Sequence, residues 1–115
     1  MAADFYIKEG DRAPKLLVTC VDEDGAVIPL TAAITAKFFM LNPGDSTPKV
    51  DGAVATILTP VADGQIEYAW AAADTDTPGD FDGEFEIEWS DGTKTTFPNF
   101  RFLQIQIGRS IDTAD

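Results

Sequence analysis

The sequence contains no histidine, a single cysteine, and only eight lysine and arginine residues against twenty aspartate and glutamate residues. Without histidine, the chain cannot form a Ser-His-Asp or Cys-His catalytic group or a histidine metal site. Glycine-rich phosphate-binding motifs are also missing. We therefore predict that the protein is not an enzyme and that it carries no cofactor.

The shortage of basic residues leaves a net charge of −12. Such a chain repels the phosphates of nucleic acids and of anionic membranes, so we predict neither as a partner. The charge favours contact with neutral or basic protein surfaces, or only keeps the protein soluble. No apolar run is long enough to span a membrane, and the first residues lack the features of a signal peptide, which predicts synthesis in a cytoplasm. Cys20 lies in an apolar run and is predicted to be a buried, inert thiol.

The most regular pattern in the chain runs from Phe81 to Trp89, where aromatic, aliphatic and glycine residues alternate with Asp and Glu. This period of two is typical of a β-strand with one buried face and one wet face. Turn-forming residues lie on both sides, with Asp91-Gly92 as a hairpin signal after the strand. The stretch is predicted to be the central strand of an antiparallel sheet.

Other short β-rich runs, separated by turns, bring the total to seven or eight strands without a helix, in a chain of 115 residues. This spacing predicts an all-β protein with an immunoglobulin-like antiparallel β-sandwich. We assign residues 1–9 to an N-terminal arm or edge strand, 10–108 to the sandwich and 109–115 to a polar tail. One strand, Ala33–Leu41, is predicted to bury Ile34 together with the alternate residues that follow it.

The immunoglobulin-like architecture is predicted without the disulfide of antibody domains. Gly83 and Cys20 occupy roughly the places of the paired cysteines, so no bridge can form. The corner that begins at Asp76 ends in Phe81, which has no hydroxyl group for a tyrosine corner.

Four aspartates, Asp74, Asp76, Asp80 and Asp82, surround Gly79 at alternating positions. Oxygen ligands spaced in this way around a glycine resemble a calcium loop, although the chain does not match an EF-hand. We retain these four residues as a weak calcium candidate. The alternative is that they form a solvated acidic surface.

Aromatic and aliphatic residues supply candidates for a protein interface. The interface candidates are Phe5, Ile7, Phe39, Leu41, Phe100 and Phe102. A carbohydrate-binding groove could instead use Tyr68, Trp70, Trp89 and Phe100, but core packing is the simpler interpretation of most of these.

An ordered series of short segments spans nearly the whole chain. The segments are Phe-x-Ile-Lys-x-Gly-Asp-x-x-Pro from Phe5, Asp-x-Asp-Gly from Asp22, Ile-x-Leu-Thr from Ile28, Gly-x-Ile-x-Tyr-x-Trp from Gly64, Asp-Thr-Asp-Thr-Pro-Gly-x-Phe from Asp74, Glu-x-Glu from Glu84 and Asp-Gly-x-x-x-Thr-Phe-Pro-Asn from Asp91. In this order they resemble the N-terminal, immunoglobulin-like domain of the upper baseplate protein (BppU-like) family of tailed bacteriophages.

The resemblance implies a non-catalytic structural protein of a virion, acting as a baseplate, tail or neck component. It implies other virion proteins as partners, a homo-oligomer within a symmetric assembly, and a location in the virion after synthesis in the bacterial host cytoplasm. Two alternatives stay open. One is a capsid decoration protein of the phage head. The other is a carbohydrate-binding adhesion module, which would be favoured if the loop 42–49 and the corner 74–80 met at one end of the sandwich.

Overall fold

A computed structural model describes residues 3–111, and these fold into an all-β protein of eight strands. The predicted sandwich of seven to eight strands is confirmed. The strands are β1 (Phe5–Lys8), β2 (Leu16–Thr19), β3 (Ala33–Leu41), β4 (Val50–Ile57), β5 (Gln65–Tyr68), β6 (Gly79–Trp89), β7 (Lys94–Phe97) and β8 (Leu103–Gly108). A single 3₁₀ turn covers Val61–Asp63. Within the described residues, no helix is long and apolar enough to cross a membrane.

The strands follow the order β1-β8-β6-β3-β4-β5-β2, and β7 also pairs with β6. Strand β4 joins the two sheets of the sandwich. Its residues 50–55 pair with β3 in the first sheet, while Thr56 and Ile57 pair with β5 in the second. The core therefore lies between a large sheet built around β6 and a small sheet that ends at β2.

The sheet is mixed, which corrects the predicted purely antiparallel arrangement. Strand β1 lies parallel to β8, with Phe5 opposite Ile105 and Lys8 opposite Gly108. Parallel neighbours need a long connection, and here nearly the whole domain lies between the two strands. Residues 5–8 are thus an edge strand of the sandwich and not a separate arm.

Of the predicted polar tail, residues 112–115 lie outside the described residues, as do residues 1 and 2 of the predicted arm.

The alternation that predicted β6 is confirmed. Phe81, Phe85 and Ile87 are buried, and the acidic residues between them lie on the outer face of the sheet. Gly83 is also buried, and a Cβ atom there would lie 2.7 Å from Cδ1 of Ile105. The central strand needs glycine at this position because the neighbouring side chain already fills the space.

Strand β3 departs from its predicted alternation at its start. Ala36, Phe38 and Met40 are buried as predicted, but Ile34 is 56% exposed. The register against β6 shifts between Ala33 and Thr35, so Ile34 is the extra residue of a bulge and turns outward.

A second bulge lies in β4, where the register against β3 also shifts. Gly52, with a φ of 80°, is the additional residue, and this positive φ explains the glycine. The Asp51-Gly52 pair therefore forms a bulge within β4 and does not end the strand.

Aromatic rings fill the centre of the sandwich. The ring of Phe38 lies 4.7 Å from Tyr68, 4.9 Å from Phe85 and 5.8 Å from Trp70, measured between centroids. Phe5 from the edge strand stacks on Trp70 at 5.7 Å. Tyr68 and Trp70 are therefore core residues and do not line a carbohydrate groove.

Cys20 is buried, as predicted. Burial raises the pKa of its thiol to about 12, so the protonated form persists at neutral pH.

Candidate protein-interaction site

Strands β7 and β8 pair with the same side of β6, one after the other along its length. Residues 85–88 of β6 pair with β7, and residues 79–83 pair with β8. The five-residue connection 98–102 joins them opposite a single residue of β6, Glu84, so it must loop away from the sheet. It begins with a proline, which cannot donate to a strand ladder. Phe100 is 46% exposed and Phe102 is 49% exposed on this connection. We refer to Phe100, Arg101 and Phe102 as the crossover patch.

The N-terminal segment fixes the shape of the crossover patch. Nη1 of Arg101 donates to Oδ2 of Asp4 at 2.7 Å, and Nη2 donates to Oδ1 at 3.3 Å. The same Nη1 donates to the carbonyl of Phe102 at 2.9 Å. Gln104 N–H donates to Oδ2 of Asp4, and Asp4 N–H donates to the carbonyl of Gln104, both at 2.7 Å. These bonds hold the connection against β8 from residues at opposite ends of the sequence.

We refer to the hydrogen bonds that join Asp4 to Arg101 and Gln104 as the Asp4–Arg101 clamp, and the charge state of Asp4 supports it. Partial burial alone would raise the pKa of the carboxyl group, but the hydrogen bonds from Arg101 and from the Gln104 backbone, with the charge of Arg101, lower it overall. Asp4 therefore stays ionised and bound to Arg101 throughout the neutral range.

The crossover patch combines two exposed aromatic rings with a cation in an otherwise acidic chain. The guanidinium carbon of Arg101 lies 5.8 Å from the centroid of the Phe100 ring, a cation–π distance. Phe102 and Arg101 also line an open groove of about 570 Å³, together with Lys94 and Glu84. Aromatic residues and arginine are enriched where proteins bind one another, so the site suits a protein surface.

The other predicted interface residues occupy different positions. Ile7 is 5% exposed and belongs to the core, so its assignment to an interface was wrong. The period of two in β1 turns its side chain inward. Phe5 is partly buried, and its ring stacks on Trp70.

Phe39 and Leu41 are partly buried on the outer face of the large sheet. Phe39 lies opposite Glu84, which also lines the groove beside Phe102. Phe102 and Phe39 are thus on the same face of the large sheet, on either side of β6.

The structure does not bring the four aspartates of the calcium candidate together. Asp74 is buried and accepts hydrogen bonds from the Tyr68 hydroxyl at 2.5 Å and from Ala71 N–H at 2.8 Å. Asp76 forms an ion pair with Lys49, whose hydrogen bond lowers the pKa of its carboxyl group.

The remaining two aspartates lie on β6. Asp82 accepts a hydrogen bond from Gln104 at 3.2 Å, and Asp80 is exposed. Throughout residues 3–111, no group of three or more His, Cys, Asp or Glu side chains could hold a metal ion. The spacing in the sequence was misleading because a tight corner and a strand direct neighbouring side chains to different sides.

Two predicted loops do meet at one end of the sandwich. Lys49, at the end of the β3–β4 loop, forms the ion pair with Asp76 in the corner before β6. In addition, a Cβ atom at Gly79 would lie 3.6 Å from Nδ2 of Asn42. This is the geometry that would favour an adhesion module.

The sequence offered no signal for the contact between Asp4 and Arg101. The two residues are 97 positions apart, and an exposed ion pair leaves no periodic pattern. The buried bond between Tyr68 and Asp74 was equally hidden, because the sequence groups Asp74 with the other aspartates of the calcium candidate. The exposure of Phe100 and Phe102 did have a signal, since Pro98 interrupts the alternation just before them.

Comparison of the sequence with models of known protein families found no match. Comparison with curated protein sequences likewise found no match.

Proposed function

We propose that this protein is a non-catalytic structural component of a tailed bacteriophage virion, in the baseplate, tail or neck, and that it assembles through the crossover patch. Two observations support the proposal. The ordered segments of the sequence resemble the N-terminal domain of upper baseplate proteins, and the all-β sandwich agrees with the fold that this resemblance implies. The expected partners are other virion proteins, with the chain forming a homo-oligomer in a symmetric assembly.

The geometry of the crossover patch is the observation that carries the proposal. Phe100 and Phe102 are half exposed, yet the bonds between Asp4 and Arg101 hold their backbone in place before any partner arrives. A surface that is already ordered loses little conformational entropy on binding. Such a site is suited to docking against a fixed protein surface.

Quantitative mass spectrometry of purified particles tests the assignment to a virion. A few copies per particle, in a multiple set by the tail axis, are expected for a baseplate, tail or neck component. A copy number comparable to that of the major shell protein would favour the capsid decoration protein instead. Absence from particles would contradict both structural assignments.

A pair of variants tests the crossover patch itself. The double substitution Phe100→Ser, Phe102→Ser removes both exposed rings, and we expect the purified particles to lack the protein. Val54→Ser is the matched control, because Val54 is 80% exposed on β4, away from the patch. Normal incorporation of the double variant would exclude the patch as the contact surface.

The adhesion module remains a second candidate, because the 42–49 loop and the corner 74–80 meet at one end of the sandwich. Loops clustered in this way often form the binding sites of sandwich domains. A glycan array, probed with and without calcium, is the direct test. Specific binding that is lost in Lys49→Ala would favour this candidate, and an array without hits would count against it.

A further inference from the structure

Strand β2 has an open edge. It pairs with β5 on one side, and no strand within residues 3–111 pairs with its other side. The amide of Cys20 donates to the carbonyl of Gly64 at 2.7 Å, at the residue pair that continues the β2–β5 register. Alternate residues of an antiparallel strand direct their backbone groups to the same neighbour. Leu17 and Thr19 therefore point their N–H and C=O groups away from β5.

The same geometry extends one step beyond the strand. Val21 and Val27 form an isolated antiparallel bridge, and its two hydrogen bonds join the residues that flank them. Ile28 N–H donates to Cys20 C=O, and Asp22 N–H donates to Ala26 C=O. Both bonds lie on the β5 side, so the backbone groups of Val21 also face the open edge. Three alternate residues thus present six backbone donors and acceptors in a row, and the described residues form no backbone hydrogen bonds with them.

A small apolar slot lies beside this edge. It has a volume of about 80 Å³ and runs between β2 and the segment that contains the crossover patch. Its walls include Val18, Cys20 and Val21 on the β2 side, and Phe97, Phe100 and Leu103 on the other. One water molecule needs roughly 10–15 Å³ by the same measure, so the slot has room for the methyl groups of alternate side chains of an added strand.

The two ends of the β2 edge carry opposite charges. Arg12 and Lys15 come before the strand, and the acidic turn 22–24 follows it. Lys15 contacts Glu67 at 3.6 Å, but both side chains are solvated, so this ion pair leaves most of the positive charge available. A complementary strand that runs antiparallel to β2 would begin with a basic residue beside the acidic turn and end with an acidic residue beside Lys15.

We infer that the open edge of β2 accepts an extended segment of a partner protein as an additional antiparallel strand, whose alternate apolar side chains enter the slot. The main-chain hydrogen bonds supply affinity, while the slot and the charged ends supply specificity. The identity of the partner as a virion protein rests on the proposed function, but the strand-binding activity does not. The exposed side chain of Leu17 and the ring of Phe100 then border the docked strand.

Synthetic peptides test this inference on the isolated protein. The probes have the sequence Lys-Thr-X-Thr-X-Thr-X-Glu, with X as Ala, Val, Leu or Phe, and binding is followed by NMR. We expect at least one of them to bind, with shifted signals and slowed hydrogen exchange at the amides of Leu17, Thr19 and Val21. A peptide with its terminal charges exchanged should bind about tenfold more weakly, because it meets like charges at both ends. No binding by any probe up to about 1 mM, or binding elsewhere on the protein, would overturn the inference.

Proline at the open edge provides the matched variants. Thr19→Pro removes an N–H group that the β2–β5 ladder does not use, so the fold should persist while peptide affinity falls about tenfold or more. Thr19→Val keeps this N–H group and should bind like the wild type. Equal affinities for the two variants would contradict strand addition.

N-methylated peptides give a readout that needs no change in the protein. Two peptides are made, one with methylated backbone nitrogens at the odd-numbered residues and one with methylated backbone nitrogens at the even-numbered residues. Only alternate residues of an added strand donate to the β2 edge, so one of the two peptides should lose binding and the other should keep it. Equal effects of the two methylation patterns would overturn the inference.

The two proposals can fail independently. Peptide binding by a protein that is absent from particles would refute the proposed function alone. A protein that is present in particles but binds no peptide would refute strand addition alone.

Discussion

Two groups of aromatic residues in this protein differ in burial. Phe38, Tyr68, Trp70 and Phe85 pack against one another in the core, whereas Phe100 and Phe102 are half exposed. In the core group, Phe38, Tyr68 and Phe85 lie on strands and Trp70 continues the alternation two residues beyond the end of β5, whereas the exposed group follows a proline in a connection between strands. An aromatic side chain is therefore assigned to the core or to the surface by the backbone pattern around it, and not by its own hydrophobicity.

The substitution Phe38→Ala should have the largest effect on folding. The side chain is fully buried and contacts three other rings, so its removal leaves a cavity at the centre of the sandwich. We expect the free energy of unfolding to fall by about 3–5 kcal/mol, as measured by urea denaturation. A loss below about 1 kcal/mol would mean that the core group is no more essential than the exposed one.

Gly83→Ala should be the next most harmful change. The added Cβ would lie 2.7 Å from Cδ1 of Ile105 and 3.3 Å from Cε1 of Phe38, so the Ile105 side chain and the Phe38 ring must shift. Overpacking of this kind typically destabilises a protein by about 1–3 kcal/mol. Gly92→Ala is not a suitable control because Gly92 has a positive φ. Ala53→Gly serves instead, because it exchanges the same two residue types at a partly buried position of β4. Unchanged thermal unfolding of Gly83→Ala would refute the tight fit beneath Phe38.

Asp4→Asn should make the backbone around Phe100 and Phe102 less ordered, while the packing of the core rings stays unchanged. The amide loses the charge that binds Arg101, and because the pair is largely solvated we expect a loss below about 1 kcal/mol. NMR should show the amide signals of the crossover patch broadened and those of β6 unchanged. Asp80→Asn, an exposed change on β6, serves as the control. Identical spectra of the patch in wild type and Asp4→Asn would show that the clamp does not order it.

The ion pair between Asp4 and Arg101 predicts that the stability of the fold depends on pH. The pKa of Asp4 is lower in the folded protein than its ordinary value of 3.8, so folding is favoured when the carboxyl group is ionised. The contribution is complete at pH values above the ordinary pKa and is lost as the pH falls through the lowered value. Wild type and Asp4→Asn should therefore differ most in stability near neutral pH and converge in strong acid. A difference that grows in acid would have the wrong sign for this clamp.

Phe100→Ser, Phe102→Ser should have a smaller effect on folding than Phe38→Ala, although it removes two rings. Both rings are about half exposed, so their joint removal should lower the free energy of unfolding by about 1.5–3 kcal/mol, measured as for Phe38→Ala. Together with a loss of incorporation into particles, this result would separate a contact surface from a packing surface. A large loss of stability would place these rings with the core group.

Regular alternation made the central part of the fold predictable. The inner residues of β6 and most of those of β3 follow directly from a period of two. The bulge at Ile34 broke this rule, because a single extra residue reverses the face of a side chain without changing the composition of the strand. The parallel position of β1 was hidden for another reason: four residues carry too little pattern to choose a neighbour.

The candidate site was only partly predictable. Phe100 and Phe102 were among the predicted interface candidates and are half exposed, and the proline that precedes them is consistent with a break in the sheet. The clamp between Asp4 and Arg101 depends on a contact between the two ends of the sequence, and local chemistry gives no sign of it. The calcium candidate failed because spacing along a chain describes ligands only when the backbone curves around them, whereas Asp74 turns inward to Tyr68 and Asp82 lies on the extended strand β6.

The parallel pairing of β1 and β8 has a mechanical consequence. A pull on the two ends of the described chain acts at the beginning of β1 and at the end of β8, which lie at opposite ends of the pair. The load then runs along the strands, so the bonds between them must shear together and cannot open one at a time like a zipper. An antiparallel pair of terminal strands would be peeled apart by the same pull. The parallel arrangement of its first and last strands thus makes this small domain resistant to tension applied between them.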